Sequence, residues 1–184
     1  MPRFRGALFS GGTMKSSVKG SGCLGRLRLA SLMGFFFALF LGAVYLQFLS
    51  VSLLPPILLY WAVVQMLLAW GMFCIYRLSG NFKHVFGGML LVASGLITAN
   101  NVLRIMPSLG LLGISIQALA IVSFSLLLYE LGKARPGSGL ELSGGLVFLG
   151  VIFQILQNPV MEGLGVFLLA AGFLLTSDRL YRFR

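Results

Sequence analysis

Residues 85–131 read VFGGMLLVASGLITANNVLRIMPSLGLLGISIQALAIVSFSLLLYEL. Two apolar runs, 85–103 and 109–131, flank a short break containing Arg104 and Pro107. Only Arg104 and Glu130 carry charge in this stretch, and Lys83 and Lys133 stand just outside it. Each run matches the roughly 20 apolar residues that a helix needs to cross a bilayer. Bare backbone amides are not tolerated in lipid, so such runs cross as helices. The stretch is therefore a transmembrane helical hairpin whose open end is basic.

The pattern recurs on both sides. Further apolar runs cover 29–49, 57–76, 143–158 and 160–176, so the hairpins are 29–78, 85–131 and 142–183. The fold class is all-α: a polytopic integral membrane bundle of six helices in three parallel hairpins, spanning 29–184. Composition agrees, with 58% hydrophobic and 10% charged residues in 184 and a mean hydropathy of +0.98. Soluble domains carry about 25% charge, so water cannot be the main solvent here. The last two runs are short and contain Gln154, Gln157 and Glu162. A four-span protein with a re-entrant last hairpin is the alternative.

Charge sets the expected orientation. Arg3, Arg5, Lys15, Lys19, Arg26 and Arg28 precede the first span. Arg77, Lys83, Lys133 and Arg135 lie in the even loops, and Arg179, Arg182 and Arg184 follow the sixth span. Of 14 Lys and Arg residues only Arg104 falls on the other side. The positive-inside rule then puts both termini in the cytoplasm, in the plasma membrane or, alternatively, an organelle membrane. The net charge of +10 also favours anionic lipid headgroups at that face. Nucleic-acid binding is excluded as a reading, because the cations are scattered and lack interleaved aromatics.

Residues 1–28 hold six basic residues, no acid, and many Gly and Ser. Such a segment buries too little to repay its ordering entropy, so a mobile cytoplasmic arm is expected. A transit peptide is the alternative, and Met14 is an alternative start. The first apolar run is too long for a cleavable signal, which makes it an uncleaved anchor.

The hairpins share markers. Gly88 is followed thirteen residues later by Asn101, Gly145 by Asn158, and Gly34 by Gln47. The even spans end on Tyr76, Tyr129 and Tyr181. Each hairpin turns near proline, at Pro55-Pro56, Pro107 and Pro159, where a helix stops and the next one starts. These spacings read as an internal repeat of about 54 residues with approximate threefold symmetry. Repeated hairpins resemble the mitochondrial carriers in outline. Their PxDxxK-type signatures are missing after every odd span, so no family is assigned.

Candidate functional positions are the intramembrane polar residues. Gln47, Asn101 and Asn158 form a ring near the outer mouth if the repeat holds. Gln154 and Gln157 share a helix face. Arg104 and Glu162 are positioned as an ion pair or gate at the outer turns. The plainer role of the amides is helix-to-helix hydrogen bonding and capping, at about 0.6 kcal/mol per bond. His84 is the sole histidine, with no acid beside it in sequence, and no metal set of three or four ligands can be built. No cofactor is implied. Cys23 and Cys74 are expected on the reducing side, unpaired, with Cys74 as a packing residue. With four acids and no Ser-His-Asp, Walker or HExxH pattern, an enzyme is not expected. The leading expectation is a non-enzymatic accessory, assembly or sensory module that binds lipid or another membrane protein. The alternative is a small-solute or ion pathway along the bundle axis.

Overall fold

The computed structural model describes residues 14–103, 110–156 and 158–182. They form six α-helices: α1 (Met14–Tyr45), α2 (Leu54–Ser79), α3 (Phe82–Leu103), α4 (Gly110–Ala134), α5 (Leu140–Ile155) and α6 (Pro159–Arg182). A single 3-10 turn, Val51–Leu53, precedes α2. Five of the helices are long and apolar enough to cross a membrane; in α1 that part is Gly22–Tyr45. The chain is thus a membrane-spanning helical bundle, as its hydropathy requires.

Local chemistry sets the ends. Pro55 and Pro56 occupy the first turn of α2, where a missing N–H costs nothing. Gly80 closes α2 in the left-handed region at φ 66°, which glycine enters without steric penalty. Asn158 caps α6: its Oδ1 accepts from the Val160 N–H at 3.0 Å. Gln47 ends α1 with φ 62°, although it is not glycine. There the Phe48 N–H donates to the Ala43 carbonyl and the Gln47 N–H to the Val44 carbonyl, a Schellman closure.

Two boundaries differ from the hydropathy reading. The sixth helix runs 24 residues, not the short 160–176, because polar Thr176, Ser177, Asp178 and Arg179 continue it at the basic end. α5 stays short at 16 residues, about 24 Å against a hydrocarbon core of roughly 30 Å. α1 reaches back into the basic arm. Residues 14–28 are helical, and Cys23 and Leu27 are buried; residues 1–13 lie outside the described ones.

Each helix packs on its sequence neighbours, and α1 closes on α6, so the six form a ring. Small residues permit this. A Cβ on Gly150 would come 2.9 Å from the Gly165 carbonyl, and one on Gly165 would come 2.8 Å from the Gly150 carbonyl. Gly144 lies equally close to the Ser125 carbonyl, while the Ser125 hydroxyl donates back to the Gly144 carbonyl at 3.0 Å. Between lipid-solvated helices there is no hydrophobic drive, so close approach and interhelical hydrogen bonds carry association. Gly34 of α1 faces the Phe173 ring of α6, Gly71 of α2 faces Leu27 of α1, and Gly88 of α3 faces the Phe73 ring of α2.

Candidate functional site

The interior of the ring is aromatic. Phe37 of α1 stacks on Trp61 of α2 at 4.3 Å between centroids. Phe173 of α6 meets Trp61 edge-on at 6.1 Å and Phe124 of α4 at 6.0 Å. Since α2, α4 and α6 alternate around the ring, these contacts cross its middle. Leu68 and Leu91, both fully buried, add to the filling. The axis is therefore occupied by side chains.

A polar layer lies beside this filling. Gln65 at mid-length of α2 and Ser31 on α1 are fully buried, and Trp61 and Ser94 are nearly so. The side-chain polar atoms of all four have no hydrogen-bond partner among the described residues. One such atom costs about 1–3 kcal/mol where water is excluded. Other buried hydroxyls do have partners: Thr98 donates to the Ser94 carbonyl at 2.9 Å and Thr176 to the Gly172 carbonyl at 2.7 Å within their own helices, and Ser125 reaches across to Gly144.

The positions singled out from sequence fall elsewhere. Gln47 is exposed in the turn after α1, Asn101 is exposed near the end of α3, and Asn158 is an exposed cap. All three lie at the end of the bundle opposite the basic one. Gln154 is half-buried on α5, where its Cγ packs at 3.1 Å from a Cβ built on Gly165. Arg104 and Gln157 lie outside the described residues. Glu162, in the first turn of α6, accepts from the Tyr45 hydroxyl at 2.8 Å. That bond clasps the end of α1 to the start of α6 and so closes the ring. Charge alone points Glu162 toward Arg104; Tyr45 leaves no such signal, because it is 117 residues distant and uncharged.

At the basic end two expectations are corrected. Cys23 and Cys74 are joined by a disulfide, with Cα atoms 5.5 Å apart. A cytoplasmic setting predicts unpaired thiols, but the α1–α2 register brings the two face to face across 51 residues. His84 does have an acid beside it: its Nε2 is 3.8 Å from Glu130 Oε2, and Lys83 Nζ is 3.8 Å from Glu130 Oε1. Antiparallel α3 and α4 place the start of one against the end of the other. No group of three His, Cys, Asp or Glu side chains able to hold a metal occurs among the described residues.

Cations at this end lie over rings. Arg26 covers Trp70 at 4.3 Å, Arg28 covers Tyr181 at 4.3 Å, and Lys133 covers Tyr129 at 4.9 Å. Such contacts are worth roughly 0.5–1 kcal/mol each at exposed sites. They tie aromatic side chains to the basic residues at this end. Asp178 takes Arg179 at 3.8 Å and Arg182 at 3.3 Å. The chain matches no protein-family model, and comparison with curated proteins and with solved structures finds no match.

Proposed function

We propose that this protein is a non-enzymatic membrane module that acts by lateral association, with its basic end and both termini in the cytoplasm. The observation that carries the reading is the filled axis, where Phe37, Trp61, Phe124 and Phe173 meet across the ring. A solute pathway needs a continuous polar or open route. The three amides suggested for its mouth lie exposed at the end of the bundle opposite the basic one, Gln47 and Asn158 at turns and Asn101 in the last turn of α3. The outward faces carry large apolar side chains such as Leu39, Phe40, Phe148 and Phe167, which suits contact with lipid or with the spans of a partner. The charge pattern supports anionic lipid at the basic end, and a plasma-membrane setting belongs to the same proposal.

The approximate threefold repeat belongs to this reading. Gly34 and Gly88 each sit on an odd helix and press against the even helix before it, counting α6 as the one before α1; in the third hairpin the repeat position is Gly145, which meets nothing within 4 Å, and its neighbour Gly144 makes the contact instead. Two of the three hairpins thus share this contact in register.

Two measurements test the function together. Purification in mild detergent should yield a stoichiometric membrane partner or tightly held anionic lipid. Proteoliposomes should leak potassium ions, protons and small neutral solutes no faster than protein-free ones. A flux that disappears in the triple variant Gln47→Leu, Asn101→Leu, Asn158→Leu would overturn the proposal in favour of a pathway.

A further inference from the structure

The seam between α1 and α6 does not close flush toward the end opposite the basic one. A cavity of about 170 Å³ remains there, open toward the surface and lined almost wholly by apolar atoms. Its floor is made by Ala38, Val166 and Ala170, all buried. Gly42 keeps the floor low, since a Cβ there would already touch Val166 Cγ1 at 3.4 Å. Leu39 and Phe167 form its walls and are themselves exposed on the outer face of the ring.

The end of α1 shapes the rim. The left-handed turn at Gln47 brings the Phe48 N–H back onto the Ala43 carbonyl, and the Phe48 side chain, 80% exposed, lines the same cavity. On α6, Glu162 stands one turn above Val166 on the same face. Its carboxylate accepts from the hydroxyl of Tyr45, the neighbour of the lining residue Leu46. The Tyr45–Glu162 pair therefore bridges the two helices over the outer end of the cavity. Among the described residues, Glu162 is the one charged side chain at this end of the bundle.

We infer that this groove holds one acyl chain of a phospholipid with an ethanolamine headgroup, in the leaflet opposite the basic end. Size selects the chain. The groove runs from Ala38 to Leu46, about 12 Å along α1. That is close to half of a hydrocarbon core of roughly 30 Å, the depth of a single leaflet. A partner helix, about 10–12 Å across with its side chains, is too wide to enter. An apolar cavity of about 150 Å³ stays dry and takes a benzene-sized guest, so several methylenes fit here. Charge selects the headgroup. An ammonium offers N–H donors to the Glu162 carboxylate, whereas a phosphatidylglycerol brings negative charge and no cation. This preference is opposite to the one that the basic end exerts on lipid, so the two are separable by experiment.

The full chain in liposomes, with a phosphatidylethanolamine carrying a diazirine midway along one acyl chain, provides the test. After illumination, peptide mapping should find the label enriched severalfold on residues 39–48 and on Phe167, relative to other outward positions such as Phe148. Excess unlabelled phosphatidylethanolamine should displace it more than phosphatidylglycerol with the same chains. Even labelling around the bundle, or equal displacement by both lipids, means ordinary boundary lipid only and overturns the inference. A groove left unlabelled overturns it too, and leaves the hollow to a side chain of a partner protein. Ala43→Leu fills the groove and should remove the enrichment. If that variant fails to fold, Phe48→Ala, which alters only an exposed rim, should weaken it. Glu162→Gln keeps an oxygen for the Tyr45 hydroxyl but removes the charge. It should keep the enrichment and erase the difference between the two competitors; a difference that persists would sink the headgroup assignment.

Discussion

At the residue scale, Gln47 illustrates how little an amide's identity says about its task. Sequence spacing made it part of a ring, yet its backbone terminates α1 in the left-handed region at φ 62°. That conformation costs an L-residue with a Cβ roughly 1–2 kcal/mol, and glycine avoids the cost. Gln47→Gly should therefore stabilise the protein by about 1 kcal/mol, read as a raised melting temperature in detergent. Gln47→Val should do the opposite. A loss of stability in the glycine variant would mean that the side chain, not the backbone, matters there. Gln65 is the contrasting case: it carries no spacing signal, yet among the described residues it is the amide that the fold buries completely.

At the scale of elements, helix pairs are set by the absence of side chains. Gly150 and Gly165 each stand within 3 Å, measured from a built Cβ, of the other's carbonyl. Neither backbone can yield without separating α5 from α6. Gly165→Leu should cost at least 1–3 kcal/mol, about the penalty of overpacking a core, and should show as loss of a monodisperse peak in detergent. Gly145→Leu is the control, since nothing lies within 4 Å of a Cβ at that position; it should stay within about 0.5 kcal/mol. The α1–α2 pair offers a different readout. Its register holds Cys23 and Cys74 within bonding range, and the compartment decides whether the bond exists in the cell. If the basic end faces a reducing cytoplasm, the pair that is bonded in the structure is reduced there: a permeant maleimide applied to intact cells should then capture both thiols, and mild oxidation should close the pair. Thiols already bonded in such cells would place the basic end on the oxidising side and reverse the orientation.

For the whole molecule, ring closure is the decisive contact. Tyr45 and Glu162 join the first helix to the last at one end, Arg28 lies over Tyr181 at the other, and Phe173 seals the middle. Lipid replaces water as the reference solvent, so truncating Phe173 forfeits packing rather than hydrophobic transfer. Phe173→Ala should leave a cavity on the order of 100 Å³ and cost roughly 2 kcal/mol at about 24 cal/mol per Å³. A fall in the detergent melting temperature is the expected reading; no change would mean that the aromatics do not hold the ring together. Reporter tags at the C-terminus and between α3 and α4 should come out on opposite faces of the membrane. Tags on one face would remove the hairpin topology altogether.

From the chain alone came six apolar runs, helical because lipid leaves the backbone no other partner, and the gathering of basic residues at one end of them. Both are properties of solvation, which acts on each segment separately and can therefore be read locally. The encounters between segments had no such signal. Cys23 with Cys74, His84 with Glu130, Tyr45 with Glu162, and the shared depth of Ser31, Gln65 and Ser94 all depend on how neighbouring helices slide against one another. Apolar faces built from a few residue types admit many registers of similar energy. Only the packing of glycines and rings in three dimensions chooses among them.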